Sequence, residues 1–269
     1  MSVSAASRKN AAPVMKAENL GITFGGLHAV SGFDMEMFEG DLVGLIGPNG
    51  AGKTTIFNLL TGVYQPTEGN FYLYGKSMLG KRPHQMVEAG IARTFQNIRL
   101  FKDLTVLDNV KVAFNQSMKY SVLGGILRLP GYWREEEEID RKARDILSVF
   151  HMEDQVEQKA QNLPYGRQRK LEIARAIATG AKILLLDEPA AGMNPTETAE
   201  LMEAITLIRT RFGVSILLIE HDMSLVMSIC ERLIVIDYGQ IIAAGTPYEV
   251  ANDPKVIGAY LGQDEEGMR

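Results

Sequence analysis

Cysteine is nearly absent. Cys230 is the only one in 269 residues, which excludes an intrachain disulfide framework and suits a reducing compartment. A buried, inert thiol is the state expected of it. No apolar run approaches ~18 residues, so nothing here is a candidate membrane-spanning helix. The opening MSVSAASRKNAAP lacks the apolar core of a signal peptide and reads as a flexible tail over residues 1–13. Positive charge is not in excess either, the net charge being −5, which speaks against a chain that coats nucleic acid. Internal repeats, low-complexity linkers and heptad runs are missing. What remains is ordinary globular composition, 46% hydrophobic and 23% charged. The length suits one core with an inserted or appended subdomain in a soluble, intracellular protein.

Against that plain background one stretch stands out, GPNGAGKTT at residues 47–55. The apolar run Leu42-Val43-Gly44-Leu45-Ile46 before it predicts a buried strand, and Ile56-Phe57-Asn58-Leu59-Leu60 after it predicts a helix. Strand, glycine loop and helix are the context in which G-x-x-x-x-G-K-[ST] cradles phosphates. Gly47, Gly50 and Gly52, with Pro48, Asn49 and Ala51 between them, let the backbone curl so that N–H groups converge on one anion. The helix starting near Lys53 adds the positive end of its dipole. Lys53 can reach the β- and γ-phosphates, the Thr54 hydroxyl suits Mg²⁺, and Thr55 completes the motif. A nucleoside triphosphate is the expected ligand.

Residues 14–46 read mostly as strands, with residues 14–20 and 21–24 separated by turn-like residues and Phe33-Asp34-Met35-Glu36-Met37 alternating with period two. Phe24 ends the second of these; it could stack on a purine or simply fill a core. Residues 70–74 and 91–96 predict further strands, the latter ending on Gln96, which from a strand end could reach a Mg²⁺ or its water. Residues 97–162 are helical in texture, with Asp103 or Thr105 as candidate caps near residue 105. Residues 121–131 are apolar, glycine-rich and irregular, either a packed loop or a contact surface. Glu137 with Arg141 and Glu138 with Lys142 fall at i,i+4 on a solvated helix face.

In LPYGRQRKLEIARAIATG, residues 163–180, apolar residues at helical spacing put Gly166 near a helix N-terminus, a second place for an anion. The apolar strand Ile183-Leu184-Leu185-Leu186 runs into Asp187 and Glu188; the first acid can hold Mg²⁺ and the second can accept a proton from water. After an amphipathic helix over residues 195–212, the strand Ser215-Ile216-Leu217-Leu218-Ile219 delivers His221 to the same edge as Glu188, where open α/β sheets gather ligands. A hairpin turning over Asp237-Tyr238-Gly239 follows. Methionines 193, 202, 223 and 227 read as core filler.

The phosphate loop, Gln96, LPYGRQ, ILLLDEP, AAGMNP and IEHDM occur in an order that resembles the ATP-binding subunits of ABC transporters over about residues 14–250. FGGLHAV, RTFQNIRLF, LEIARA, DEPAAGMNP and IEHDM, with the insertion at residues 115–135, are most similar to the branched-chain amino acid (Liv-type) import ATPases. The resemblance implies an α/β P-loop NTPase of ABC type, with a RecA-like, mostly parallel core sheet, an antiparallel β-subdomain and an inserted helical subdomain. It divides the chain into an ATP-binding core with β-subdomain (14–96 and 166–250), a helical subdomain with the signature at its end (97–165) and a C-terminal extension (251–269).

It further implies that Phe24 stacks on adenine and that Gln96 senses the γ-phosphate and couples to the membrane partner. Asp187 would hold Mg²⁺ through water, Glu188 would polarise the attacking water and His221 would contact the γ-phosphate. ATP and Mg²⁺ are thus the expected cofactors. Two ATPase subunits, identical or sister chains, would sandwich two ATP molecules, each site pairing one phosphate loop with the other's signature. Transmembrane permease subunits, and indirectly a periplasmic or extracellular binding protein, are the other expected partners, with no nucleic acid. The chain would sit peripherally on the cytoplasmic face of the membrane. Two departures are visible: Pro164 replaces the serine of the usual LSGGQ, and Asn194 replaces the usual Asp after Pro189. The competing reading, a soluble ABC ATPase or nucleotide sensor acting on ribosomes or DNA, lacks the paired cassettes or coiled coils expected of it. Leucine-type amino acids, amides and urea all fit as solutes, because such an ATPase never touches what is transported.

Overall fold

Strands that are apolar at every position must bury both faces, and that requirement organises the protein. In the computed structural model, which describes residues 11–114 and 130–266, two sheets form. Strands β1 (Met15–Phe24), β2 (Leu27–Met37), β4 (Glu68–Leu73) and β5 (Lys76–Ser77) make an antiparallel sheet in the order β2-β1-β4-β5. Strands β3 (Leu42–Ile46), β6 (Ile91–Arg93), β7 (Ile183–Asp187), β8 (Ser215–Ile219), β9 (Arg232–Asp237) and β10 (Gln240–Gly245) make the second, in the order β10-β9-β3-β8-β7-β6. All its pairings are parallel except that of the edge strand β10 with β9.

Alternate side chains of this second sheet enter two separate cores. Leu42, Ile46, Leu184, Leu186, Ile216 and Leu218 pack on the helical side, whereas Val43, Leu45, Ile183, Leu185, Leu217 and Ile219 pack toward the antiparallel sheet. The helices are α1 (Lys53–Leu60), α2 (Pro83–Glu88), α3 (Val106–Ala113), α4 (Pro130–Val149), α5 (Tyr165–Ala178), α6 (Pro195–Phe212), α7 (Met223–Ile229), α8 (Pro247–Ala251) and α9 (Pro254–Glu266). Helix α5 packs against both α3 and α4. None of the described helices is long and apolar enough to cross a membrane.

The boundaries differ from the sequence pattern where backbone conformation intervenes. The two short strands expected over residues 14–24 are one strand, because Asn19 adopts φ 48° and its N–H donates to Asp34, absorbing the irregularity as a bulge. Strand β6 stops at Arg93, so Gln96 stands beyond it on a loop. Thr105, not Asp103, caps α3, its hydroxyl accepting from the Asp108 N–H. Glu138 and Lys142 meet at 2.6 Å on the exposed face of α4. Cys230 is buried, and burial pushes its thiol up to about 12. The readings of residues 1–10 as a tail and of residues 121–129 as a loop or contact surface lie outside the described residues.

Candidate functional site

The loop after β3 has the backbone its glycines permit. Gly47 takes φ 151°, and a Cβ there would lie 2.1 Å from the Ile236 carbonyl oxygen, so only glycine fits. Gly52 begins α1 with φ 105°, with no side-chain cap and no acidic residue in the first turn. The N–H groups and positive dipole end of α1 are therefore unopposed. Asn49, Gly50 and Thr54 are exposed at this rim. The Gly239 N–H, from the β9–β10 turn, donates to the Ala51 carbonyl at 2.9 Å and braces the loop from behind. Lys53 folds back, donating to the carbonyls of Gly47 (2.5 Å) and Pro48 (2.8 Å). Burial pulls the Lys53 ammonium below its usual pKa, while the charges of Glu188 and Asp187 work against that shift. A phosphate would offer the cation a better partner than two neutral carbonyls.

The two acids arrive on β7, next to β6 and β8. Asp187 is held from one side: its Oδ2 accepts from Arg93 at 2.7 Å, with the two side chains only 7% and 6% exposed. Arg93 also donates to Asn58 Oδ1 of α1 at 2.7 Å, and its guanidinium lies over the rings of Phe57 and Phe95. Glu188 continues the sheet ladder, its N–H donating to the Ile219 carbonyl at 2.9 Å, but with φ 45°. Left-handed backbone at a non-glycine residue costs energy, and such residues cluster at active sites. That turn aims the side chain at the Gln96 loop, and Gln96 Nε2 donates to Glu188 Oε2 at 3.3 Å.

His221 follows β8 with its side chain 62% exposed, and its Nδ1 is 3.6 Å from Glu220 Oε2. Glu220 is buried and accepts from the Ala190 N–H at 2.9 Å; burial pushes its carboxyl pKa up. Because Asp187 pairs with Ile219 in register, Glu188 and Glu220 leave the same edge side by side.

Gly166 and Asn194 form a separate group. Asn194 caps α6 by accepting from the Glu197 N–H at 3.0 Å, and Glu197 returns the bond to the Asn194 N–H at 3.2 Å. A Cβ on the buried Gly166 would stand 2.8 Å from a Glu197 carboxylate oxygen. Pro164 occupies the N-cap position of α5 and supplies no side-chain bond. Phe24 stands apart again, 44% exposed at the end of β1, with Tyr64 edge-on at 5.3 Å. The fold thus joins Lys53, Gln96, Asp187 and Glu188, adds His221 at the same edge, and keeps Gly166 with Asn194. Arg93, Arg169, Glu172 and Glu220 were not singled out from the sequence. Arg169 and Glu172 are charges buried on α5, Glu220 is buried just past the end of the apolar strand β8, and Arg93 ends β6.

Among the described residues no group of three or more His, Cys, Asp or Glu could hold a metal ion. The oxygen donors at hand, Thr54, Gln96 and Asp187, instead suit a hard cation that keeps waters and takes its remaining ligands from phosphates. An anion cradle, a lysine and a carboxylate with a left-handed backbone can together bind a triphosphate and polarise a water against it.

Comparison with known proteins gives a consistent picture. Residues 30–191 match the family model described as "ABC transporter", and residues 240–266 match that of "Branched-chain amino acid ATP-binding cassette transporter". The high-affinity branched-chain amino acid transport ATP-binding protein LivG of Salmonella typhimurium is 46% identical over 251 residues, covering 93% of this chain and 98% of that protein. The corresponding protein BraF of Pseudomonas aeruginosa is 45% identical, with the same coverage of each. Among solved structures, the ADP conformation of an ATP-binding cassette of an ABC transporter superposes with a TM-score of 0.80 at 32% identity, covering 93% of this chain and 99% of that one.

Proposed function

Because this chain belongs to the ABC transporter family, as an ATP-binding cassette, we propose that it is the ATP-hydrolysing, energy-coupling subunit of an importer for branched-chain amino acids. The observation that carries the hydrolytic reading is the meeting of Gln96 and Glu188 at 3.3 Å beside Asp187 and the phosphate loop. The solute class is supported by the similarity to LivG and BraF and by the C-terminal match over residues 240–266.

In this reading the loop of residues 47–55 binds the triphosphate through backbone N–H groups and Lys53, and Phe24 covers the adenine with Tyr64 at its edge. Thr54 and Gln96, with Asp187 through water, would hold Mg²⁺, which would supply positive charge to offset that of the phosphates. Glu188 takes the proton of the attacking water while Gln96 orients its carboxylate. His221, exposed beside them, donates to the γ-phosphate.

Gly166 and Asn194 contact Glu197, not this chain's own phosphate loop, which supports their completing a second subunit's site in a dimeric sandwich. The division into core, helical subdomain and C-terminal extension follows from the same reading. So do transmembrane permease subunits as partners, a binding protein acting through them, and a peripheral place on the cytoplasmic membrane face.

Two measurements test this. Deleting the gene should lower uptake of labelled leucine, isoleucine and valine, restored by the wild type and not by Glu188→Gln. Unchanged uptake overturns the solute class. A tagged chain should also recover polytopic permeases from solubilised membranes; ribosomes or DNA in their place overturn the transport reading.

A further inference from the structure

Arg169 is the largest fully buried side chain among the described residues, 0% exposed, in the second turn of α5. Its fork reaches out of its own helix. One terminal nitrogen donates to the Phe95 carbonyl at 2.5 Å and to Glu172 at 3.0 Å; the other donates to the Gln96 carbonyl at 2.7 Å and to the Tyr165 hydroxyl at 3.2 Å. Glu172 in turn accepts from the N–H groups of Arg99 (3.3 Å) and Phe95 (3.5 Å). Two oppositely charged side chains on one helix thus hold backbone groups on both sides of Gln96.

The geometry is specific to a guanidinium. Four acceptors, the Phe95 and Gln96 carbonyls, Glu172 and the Tyr165 hydroxyl, are met by the N–H groups of two separate terminal nitrogens, whereas a lysine ammonium offers three donors from a single point. Bonds from a charged donor are short and strong. Burying two charges is costly, and a core of apolar residues would have filled the space more cheaply. What the pair adds over apolar filling is a fixed position for an otherwise exposed loop. Tyr165 extends the connection: its ring lies under the Arg169 guanidinium and also against Gly192, two residues before Asn194.

We propose that Arg169, with Glu172, is a positioning residue for hydrolysis: it clamps the Gln96 loop to the start of α5, so that Gln96 reaches Glu188 only when α5 is seated. The helix that presents Gly166 and the loop that presents Gln96 then move as one body. This inference rests on the reading of Gln96 and Glu188 as parts of the hydrolytic site. Arg169 itself touches neither nucleotide nor reacting water.

The test uses the full chain and two readouts. Arg169→Met alone would strand the Glu172 charge, so Arg169→Met/Glu172→Met is made beside it, removing both charges together. Both variants should exchange the Phe95 and Arg99 amide hydrogens about tenfold faster or more. Turnover should fall about tenfold or more, since small misplacements of positioning groups act on kcat. The KM for ATP should stay within about twofold, because the phosphate loop is untouched. Arg169→Lys, which keeps the charge but not the fork, should fall between wild type and the double variant in both readouts. Unchanged exchange in the folded double variant overturns the clamp. A rise in KM matching the loss of kcat/KM, with kcat unmoved, overturns the positioning role. If the wild type itself does not hydrolyse ATP, the proposed function fails while the exchange measurement still decides the clamp.

Discussion

Replacing Arg93 with methionine isolates the contact on which Asp187 depends. Methionine keeps much of the apolar packing between the Phe57 and Phe95 rings but removes the cation 2.7 Å from Asp187 Oδ2 and the donor to Asn58. With both side chains less than a tenth exposed, water does not replace the lost partner. Removing one member of a buried ion pair typically costs ~3–5 kcal/mol. At this chain length that corresponds to a drop in melting temperature of roughly 6–20 °C. Urea unfolding followed by far-UV circular dichroism measures the loss directly. Adding Asp187→Asn in the methionine background should cost much less than the same change in the wild type, because it removes a stranded charge. The coupling between the two sites should exceed about 1.5 kcal/mol. If Arg93→Met costs under about 1 kcal/mol, the level of an exposed pair, or if the two substitutions simply add, Arg93 does not hold Asp187 as argued.

Glu188→Gln should retain ATP binding and lose ~10²–10⁴-fold in turnover, since an amide cannot take the proton; near-normal phosphate release would remove Glu188 from the mechanism. Lys53→Ala should weaken ATP binding about tenfold or more by calorimetry, the loss of a charged bond to phosphate; unaltered affinity would mean the phosphate lies elsewhere. Pro164→Ser places a hydroxyl at the uncapped N-cap of α5 and should add about 1 kcal/mol, raising the melting temperature by roughly 2–4 °C; a melt that does not move refutes the capping argument. Glu220 is raised above 4.5 by burial, so the folded state holds its proton longer and stability falls as pH climbs from about 4.5 through the raised value. Glu220→Gln should flatten that part of the stability–pH curve, and an identical slope in both proteins counts against the buried carboxyl as its source.

The sequence by itself determined the elements that local chemistry specifies. Runs such as Ile183–Asp187 and Ser215–Ile219 had to be doubly buried strands, and they are, with alternate residues in the two cores. The phosphate loop was legible because three glycines, a lysine and two flanking elements lie within a short stretch. The order of the motifs named the family before any coordinate did.

Only the tertiary structure decided which distant charges meet. Arg93 and Asp187 are 94 positions apart, Gln96 and Glu188 are 92 apart, and Arg169 finds the Phe95 carbonyl 74 positions away. The first two meetings follow from β6 lying beside β7, and the third from α5 packing under the loop after β6. Asn19 as a bulge likewise depends on a partner, Asp34, that holds it in place. Periodicity states that a face is buried but not what it is buried against, so a charge on such a face acquires its meaning only when the chain has closed around it.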